Sequence, residues 1–391
     1  MKTNMIKFDN NRYVLQSIQL SEEARPQRGG ISLPAVRELS RHHGNKTKMV
    51  ATENHLDRSK FDKHSRAVNV SKELLWGCYK YKKGSLGVSR EKADEISFTK
   101  MECSRSLPEA WIIGVKKCGS QMLTGLLDLH PEIVSSIYLE RTDNMFLNKA
   151  QFVNKYSPWT SPKEMGLFDM VGLQNKPDVL RHVVHNLSTP NTLFILILID
   201  PVKRALSDYV HCKIKMQSTK NIGSYLKERR LVWDGKSQKT SYDMVSLFKG
   251  YKIASTFEKS VFNLSGKPDI ENGLIKKGLY FNYANAVLKL IPRDKLLVID
   301  GQKFVTHPWE VLSTTESFLN VSNFFTPQHF RKEGKYYCPS LEERPDAGCV
   351  NGKGRKKPKV SPKVVRKLET FFRPYNRKLQ SLVDEHFVWM H

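Results

Sequence analysis

The sequence predicts an α/β fold built on buried parallel strands, and two stretches carry that prediction. Residues 110–115 (AWIIGV) and 193–199 (LFILILI) are short, continuous apolar runs, the pattern of strands covered on both faces. Each run leads directly into a helix signal. After Val115 come KKCGSQ and then Met122, Leu123, Leu126, Leu127 and Leu129 at helical spacing, stopped by Pro131. After Ile199 come Asp200 and Pro201, suited to a helix cap and first helical position. Strand, glycine-bearing turn and helix together open an α/β nucleotide-binding unit.

Residues 295–300 (KLLVID) read as a third strand. Amphipathic helices are expected over 276–291, 308–319 and 362–372, and a short helix near residues 70–79. Residues 1–107 are polar, basic and weakly periodic, and are expected to be a poorly ordered stem. The folded domain is expected over 108–391. No internal repeat occurs. At 391 residues with 39% apolar side chains, the chain is long enough for a sizeable core. Lys plus Arg number 64 against 39 Asp plus Glu, a formal charge of +25. This points to a polyanionic partner: nucleic acid, an acidic membrane or a sulfated or uronate-rich glycan. Basic runs such as GKGRKKPK come with no interleaved aromatics, which argues against nucleic acid. The longest apolar run, 193–199, falls far short of the ~18 residues of a spanning helix. The N-terminus has no apolar signal core, so neither a membrane anchor nor a secretory signal is visible.

Six cysteines form no CxxC pair and no zinc-ligand cluster, and no metal is expected. Cys338 and Cys349 bracket the loop CPSLEERPDAGC. Their spacing alone leaves a bridge and two free thiols open; a bridge would stabilise by about 3 kcal/mol in an oxidising compartment. N-x-S/T triplets at Asn45, Asn69, Asn186, Asn263 and Asn320 are compatible with a secretory route.

Two motifs carry chemistry. Gly114-Val-Lys-Lys-Cys-Gly119-Ser120-Gln121 sets two glycines five apart between a strand and a helix. Such a loop lets backbone N–H groups converge on an anion at a helix N-terminus. It departs from the Walker pattern, because Ser120 directly follows Gly119 and the lysines, Lys116 and Lys117, sit inside the loop. Lys117 is placed to touch a leaving phosphate. In DPVKRALSDY, Arg204 and Ser207 lie about one turn apart near a helix start and could meet a phosphate. A rival reading makes 194–200 a Walker B strand with Asp200 on magnesium; the missing Walker lysine weakens it.

Taken in order, PEAWIIGVKKCGSQMLTGLLDLHPEI, ILIDPVKRALSDYV, KYYCPSLEERPDAGCVNGKGRKKPKV, ETFFRPYNRKL and FVWMH resemble the Golgi heparan sulfate sulfotransferases, most of all the glucosamine 3-O-sulfotransferases. The similarity runs from Pro108 to His391. It implies a single α/β domain with a central parallel sheet and a P-loop-like phosphosulfate-binding loop, of the sulfotransferase, P-loop NTPase-like class. It implies sulfuryl transfer from 3′-phosphoadenosine 5′-phosphosulfate (PAPS) to a glucosamine hydroxyl of heparan sulfate, in the Golgi lumen and without a metal. By the same resemblance Lys116, Lys117, Cys118, Gly119, Ser120 and Gln121 grip the phosphosulfate. Ser207 holds the 3′-phosphate, and Lys353, Gly354 and Arg355 close over the nucleotide; Arg204, which matches no family position, is expected to supply charge there in part. Lys117 and Glu140 are implied as catalytic, and Cys338–Cys349 as a disulfide.

The chain also departs from the family pattern. Cys118 stands for a glycine, Gln121 for an arginine, Ile199 for the arginine before DP, and Thr142 for a histidine. The segment 163–172 has no clear counterpart of the family's E-K-S/T-P. The alternative expectation is therefore a catalytically impaired homologue that binds heparan sulfate.

Overall fold

The structure, a computed structural model, describes residues 74–81, 90–136, 146–170, 173, 176–228, 250–334, 336–342, 344, 347 and 355–390. All of them belong to the unit Asn69–His391; the unit Met1–Val68 contains none.

A small antiparallel sheet comes first: β1 (Leu74–Trp76), β2 (Tyr79–Tyr81) and β3 (Arg90–Lys92), paired in that order. This corrects the short helix expected near residues 70–79. Trp76, Tyr79 and Tyr81 favour a pleated surface, and Gly77, at φ 52°, turns the chain between the first two strands. Helix α1 (Glu95–Lys100) follows, with the Asp94 carboxylate accepting from the Ser97 N–H at 2.9 Å. A disulfide joins Cys78 in the β1–β2 turn to Cys103 beyond α1. Closing 25 residues in this way stabilises by about 3–4 kcal/mol in the chain-entropy account. Described secondary structure therefore lies upstream of Pro108, inside the stretch 1–107 expected to be a stem.

The remaining elements in chain order are β4 (Ala110–Ile112), α2 (Ser120–Leu127), β5 (Ile133–Ser135), α3 (Lys149–Tyr156), β6 (Met165–Asp169), α4 (Pro177–Asn186), β7 (Leu193–Leu198) and α5 (Pro201–Glu228). Then come α6 (Phe257–Val261), α7 (Gly273–Lys276), α8 (Tyr280–Leu288), β8 (Leu296–Asp300), α9 (Gly301–Thr306), α10 (Pro308–Leu319), β9 (Phe330–Glu333), β10 (Tyr336–Pro339) and α11 (Pro362–Val383). Five strands form one parallel sheet in the order β5-β6-β4-β7-β8. The expected α/β architecture with a central parallel sheet is what the structure shows. β4 lies at its centre, with Ala110 opposite both Leu167 and Leu193. The chain leaves β4 toward one edge of the sheet and leaves β7 toward the other. The crevice at the carboxyl ends of β4 and β7 is thus a topological switch point, where α/β sheets hold ligands.

Trp111 anchors the core between Phe152 and Phe168, at ring-centroid distances of 5.4 and 4.6 Å. A second apolar cluster joins α5, α7 and α11 through Ala205, Tyr209, Leu274, Leu368 and Phe372. α11 outruns its expected end at residue 372 and carries Pro374 inside it. An interior proline costs about 3 kcal/mol. Leu368 and Phe372 before it, and Leu379 and Val383 after it, are all buried on one stripe. At about 1.5–3 kcal/mol for each such side chain, that burial outweighs the proline.

Candidate active site

The β4–α2 loop occupies the switch point. Its backbone turns left-handed at Gly114 (φ 118°), Lys117 (φ 70°) and Gly119 (φ 108°). Lys117 is the telling member, since a side chain there costs of order 1 kcal/mol in strain that glycine would avoid. The loop fastens to itself through the Cys118 N–H to the Val115 carbonyl (3.0 Å), and to α2 through the Met122 and Leu123 N–H groups to Gly119. Among the described residues no group accepts from the N–H of Lys117, Gly119, Ser120 or Gln121. Alternating backbone hand with unclaimed N–H groups at a helix start makes an anion-binding concavity.

A buried charge cluster backs the loop. Lys116, 7% exposed, sits 3.0 Å from Asp208 Oδ1 and 3.3 Å from the Tyr251 hydroxyl. Tyr251 donates to Asp208 Oδ2 at 2.6 Å, and Arg204 Nη1 reaches the same oxygen at 3.1 Å. Burial by itself would raise the Asp208 carboxyl; Lys116, Arg204 and Lys277 together hold it well below the usual carboxylate range. Lys277 is nine-tenths buried over the Tyr251 ring (4.7 Å). Burial, and then the charge of Lys116, pull it down to about 7. Burial also lowers Lys117, which feels Asp208, Arg355 and Lys116. From the C-terminal segment, Arg355 donates to His211 Nδ1 at 3.0 Å. Burial and the Lys117 and Lys116 charges press that imidazole down to about 4. Lys116, Lys117, Arg204 and Lys277 thus gather round Asp208, with Arg355 beside Lys117 and His211, and positive charge is left in excess beside the open N–H groups.

A sulfotransferase domain matches residues 107–336 of the chain. The chain belongs to the sulfotransferase family. It is 23% identical over 333 residues to heparan sulfate glucosamine 3-O-sulfotransferase 5 of Homo sapiens, spanning 83% of each protein. It is 27% identical over 300 residues to heparan sulfate glucosamine 3-O-sulfotransferase 3A1 of Mus musculus, spanning 74% of this chain and 66% of that protein. A sulfotransferase from Alicyclobacillus acidocaldarius superposes with a TM-score of 0.41 at 18% identity, over 73% of this chain and 99% of that one.

In this sulfotransferase the expected site residues divide. Lys116, Lys117, Gly119, Ser120, Ser207 and Arg355 lie on the loop, on α5 and on the segment that meets it. Ser207 is half-buried on the α5 face that also carries Arg204, Asp208 and His211, and Gln121 is exposed at the α2 start. Two expectations need correction. Cys118 turns its thiol into the core toward the Tyr280 hydroxyl (3.6 Å), and burial raises it to about 11. With its N–H bonded to Val115, it presents no donor to a ligand. Arg204 is 0% exposed and is held by Asp208 and the Leu274 carbonyl, so it has no surface to offer a phosphate. Asp200 caps α5, its Oδ1 accepting from the Val202 N–H at 2.8 Å and the Lys203 N–H at 3.4 Å. That capping argues against the magnesium-ligand reading. Among the described residues no acidic, Cys or His group forms a metal site. Glu140, Thr142, Cys349, Lys353 and Gly354 lie outside the described residues. Cys338 is disulfide-bonded.

The sequence reading missed Lys277, Tyr251 and His211. His211 had a signal, since it lies one turn beyond Ser207 on α5. Lys277 comes from the helix expected over 276–291, whose apolar periodicity said only that it would pack, and Tyr251 from a stretch in which no element was expected. Within β6 there is no lysine; the strand ends in Asp169, whose Oδ2 accepts from the Thr124 hydroxyl at 3.1 Å.

Proposed function

We propose that this protein transfers a sulfuryl group from PAPS to a glucosamine hydroxyl of heparan sulfate, the 3-OH being the position named for its relatives. The observation that carries the reading is the β4–α2 loop: unclaimed N–H groups beside Lys117, with surplus positive charge behind them. PAPS supplies the sulfuryl group, whose sulfur–oxygen bond to the 5′-phosphate breaks as the sugar oxygen bonds to sulfur. The N–H groups of Lys117, Gly119, Ser120 and Gln121 hold the phosphosulfate oxygens, and Ser207 and Arg355 hold the rest of the nucleotide. Lys117 offsets the charge that grows on the bridging oxygen as it departs. Glu140, assigned on the resemblance alone, takes the proton of the sugar hydroxyl. The disulfides support an oxidising compartment and hence the Golgi lumen. Among the described residues no helix is long and apolar enough to cross a membrane.

The test is Lys117→Ala. Sulfate transfer to heparan sulfate is expected to fall about 10²–10³-fold, with binding of adenosine 3′,5′-bisphosphate retained in calorimetry. Near-normal turnover would remove Lys117 from the mechanism. One observation favours a second reading, a catalytically impaired homologue that binds heparan sulfate. Ile199 stands where the resemblance calls for a phosphate-binding arginine, and the buried Arg204 cannot replace it. Loss of one charged contact costs about 1.5–3 kcal/mol. Glycan binding without any turnover by the wild-type chain would establish that reading.

A further inference from the structure

A second polar cleft of about 400 Å³ lies between the start of α5, α9, α11 and the C-terminal segment. Its size falls in the range of about 300–1,000 Å³ common to small-molecule sites. None of its lining residues belongs to the phosphate loop. Lys203, Arg373 and Arg377 bring three cations against the two carboxylates of Asp200, which caps α5, and Glu369, leaving a net positive lining to which Gln302 and Asn376 add amides. Lys203 Nζ is steadied by Gln302 Oε1 at 2.8 Å. Two polar atoms of lining residues have no hydrogen-bond partner among the described residues: the Nε1–H of Trp389, a side chain only 8% exposed, and Asn376 Oδ1. A buried donor left unpaired costs about 1–3 kcal/mol. One open donor and one open acceptor beside guanidinium groups suit a ligand that carries hydroxyls and anionic groups together.

The cleft opens onto a charged helix face. Lys363, Arg366, Lys367, Arg373, Arg377 and Lys378 are all exposed. At 3.6 residues per turn they fall on the half of α11 opposite its buried stripe of Leu368, Phe372, Leu379 and Val383. These positions run from Lys363 to Lys378 of the 22-residue helix, so this face extends for about 22 Å. A monovalent metabolite would leave most of it unused; a linear polyanion would not.

We propose that the cleft and the basic face of α11 form a binding surface for a sulfated glycan chain, separate from the loop assigned to the nucleotide. The cleft takes one anionic saccharide unit, through Arg373, Arg377 and the Trp389 N–H. The helix face then guides the chain on either side by charge. This rests on the anionic-glycan part of the proposed function and adds a place for the polymer beyond the reacting sugar.

The test titrates a heparin octasaccharide into the full chain by calorimetry at several salt concentrations. The Arg373→Ala/Arg377→Ala pair is compared with a control pair, Lys289→Ala/Lys332→Ala, which removes the same charge from exposed positions elsewhere. The α11 pair is expected to weaken octasaccharide binding about tenfold or more. It should also flatten the slope of log K against log salt by about 1.4–1.8, as for two lost polyanion contacts. The control pair should change both only slightly, and all variants should bind adenosine 3′,5′-bisphosphate alike and melt alike. Trp389→Phe, which keeps an aromatic side chain but loses the pyrrole ring and its N–H donor, should weaken the octasaccharide a few-fold. Unchanged affinity in the α11 pair, or an equal loss in both pairs, would overturn the surface. A single-stranded oligonucleotide that outbinds the octasaccharide at equal salt, with the same dependence on Arg373 and Arg377, would overturn the glycan assignment. A chain that binds in this pattern yet transfers no sulfate sinks the enzyme reading alone; one that transfers sulfate with the α11 pair silent sinks this inference alone.

Discussion

Lys277, on the turn between α7 and α8, and Arg377, on the outer face of α11, carry the same formal charge in opposite surroundings. Lys277 is nine-tenths buried, crowded by Lys116, and pulled down to about 7. Arg377 faces water. The first belongs to a cluster whose charges interact strongly because little solvent screens them. The second belongs to a row of solvated charges, each weak alone and screened by salt. The two designs suit different anions. A small ligand with concentrated charge repays a rigid, desolvated pocket. A long polymer is held by many exposed contacts that release counterions.

The largest expected effect separates the two regions by stability. Asp208→Ala removes the carboxylate that holds Lys116, Arg204 and Tyr251, leaving buried cations unpaired. A loss of about 3–5 kcal/mol is expected. Arg377→Ala on α11 should stay within about 0.5 kcal/mol. Urea midpoints measure both, and an Asp208 variant as stable as the Arg377 variant would show that the cluster is not held as described.

A somewhat smaller effect probes how the loop is seated. A methyl group at Gly301 would lie 2.7 Å from the Cys118 carbonyl oxygen and 2.7 Å from Ile199 Cγ2. Backbone cannot yield as a flexible side chain would, so Gly301→Ala should cost about 1–3 kcal/mol. It should also weaken adenosine 3′,5′-bisphosphate while leaving octasaccharide affinity unchanged, because the push falls on the phosphate loop. Equal weakening of both ligands would mean that the two regions are not independent.

That contact shows where the sequence stopped being informative. The strands 110–115, 193–199 and 295–300 were legible because parallel strands buried on both faces read as unbroken apolar runs. Helix 308–319 was legible because proline and an amphipathic stripe bound it. β5, with three residues, and β6, in MGLFD, were too short to show a period. The loop's lysines and glycines were legible because phosphate chemistry demands those residue types together. The burial of Arg204 was not, since one turn of helix separates a surface arginine from one sealed against Asp208, and only the packing of α7 decides which. Nor was Lys277, whose relation to Lys116 spans residues far apart in the chain and has no local pattern.

The smallest effect is a proton count. Lys277 lies at about 7 in the folded protein, against 10.5 for an unperturbed lysine. Between those values the unfolded chain binds more protons than the folded one, so this group makes stability rise as pH increases from 7 to 10.5. His211, held at about 4 against 6.5, adds a rise of the same sign between pH 4 and 6.5. An anion bound at the loop reverses the penalty on Lys277 by favouring its charged form. Binding of adenosine 3′,5′-bisphosphate at pH 8 should therefore take up a fraction of a proton, read from calorimetry in two buffers of different ionisation enthalpy. Lys277→Met should abolish the uptake and flatten the stability profile above pH 7, whereas Arg373→Ala/Arg377→Ala should leave both intact. No uptake in the wild-type chain would place the nucleotide away from Lys277 and end the distinction between a desolvated pocket and a solvated face.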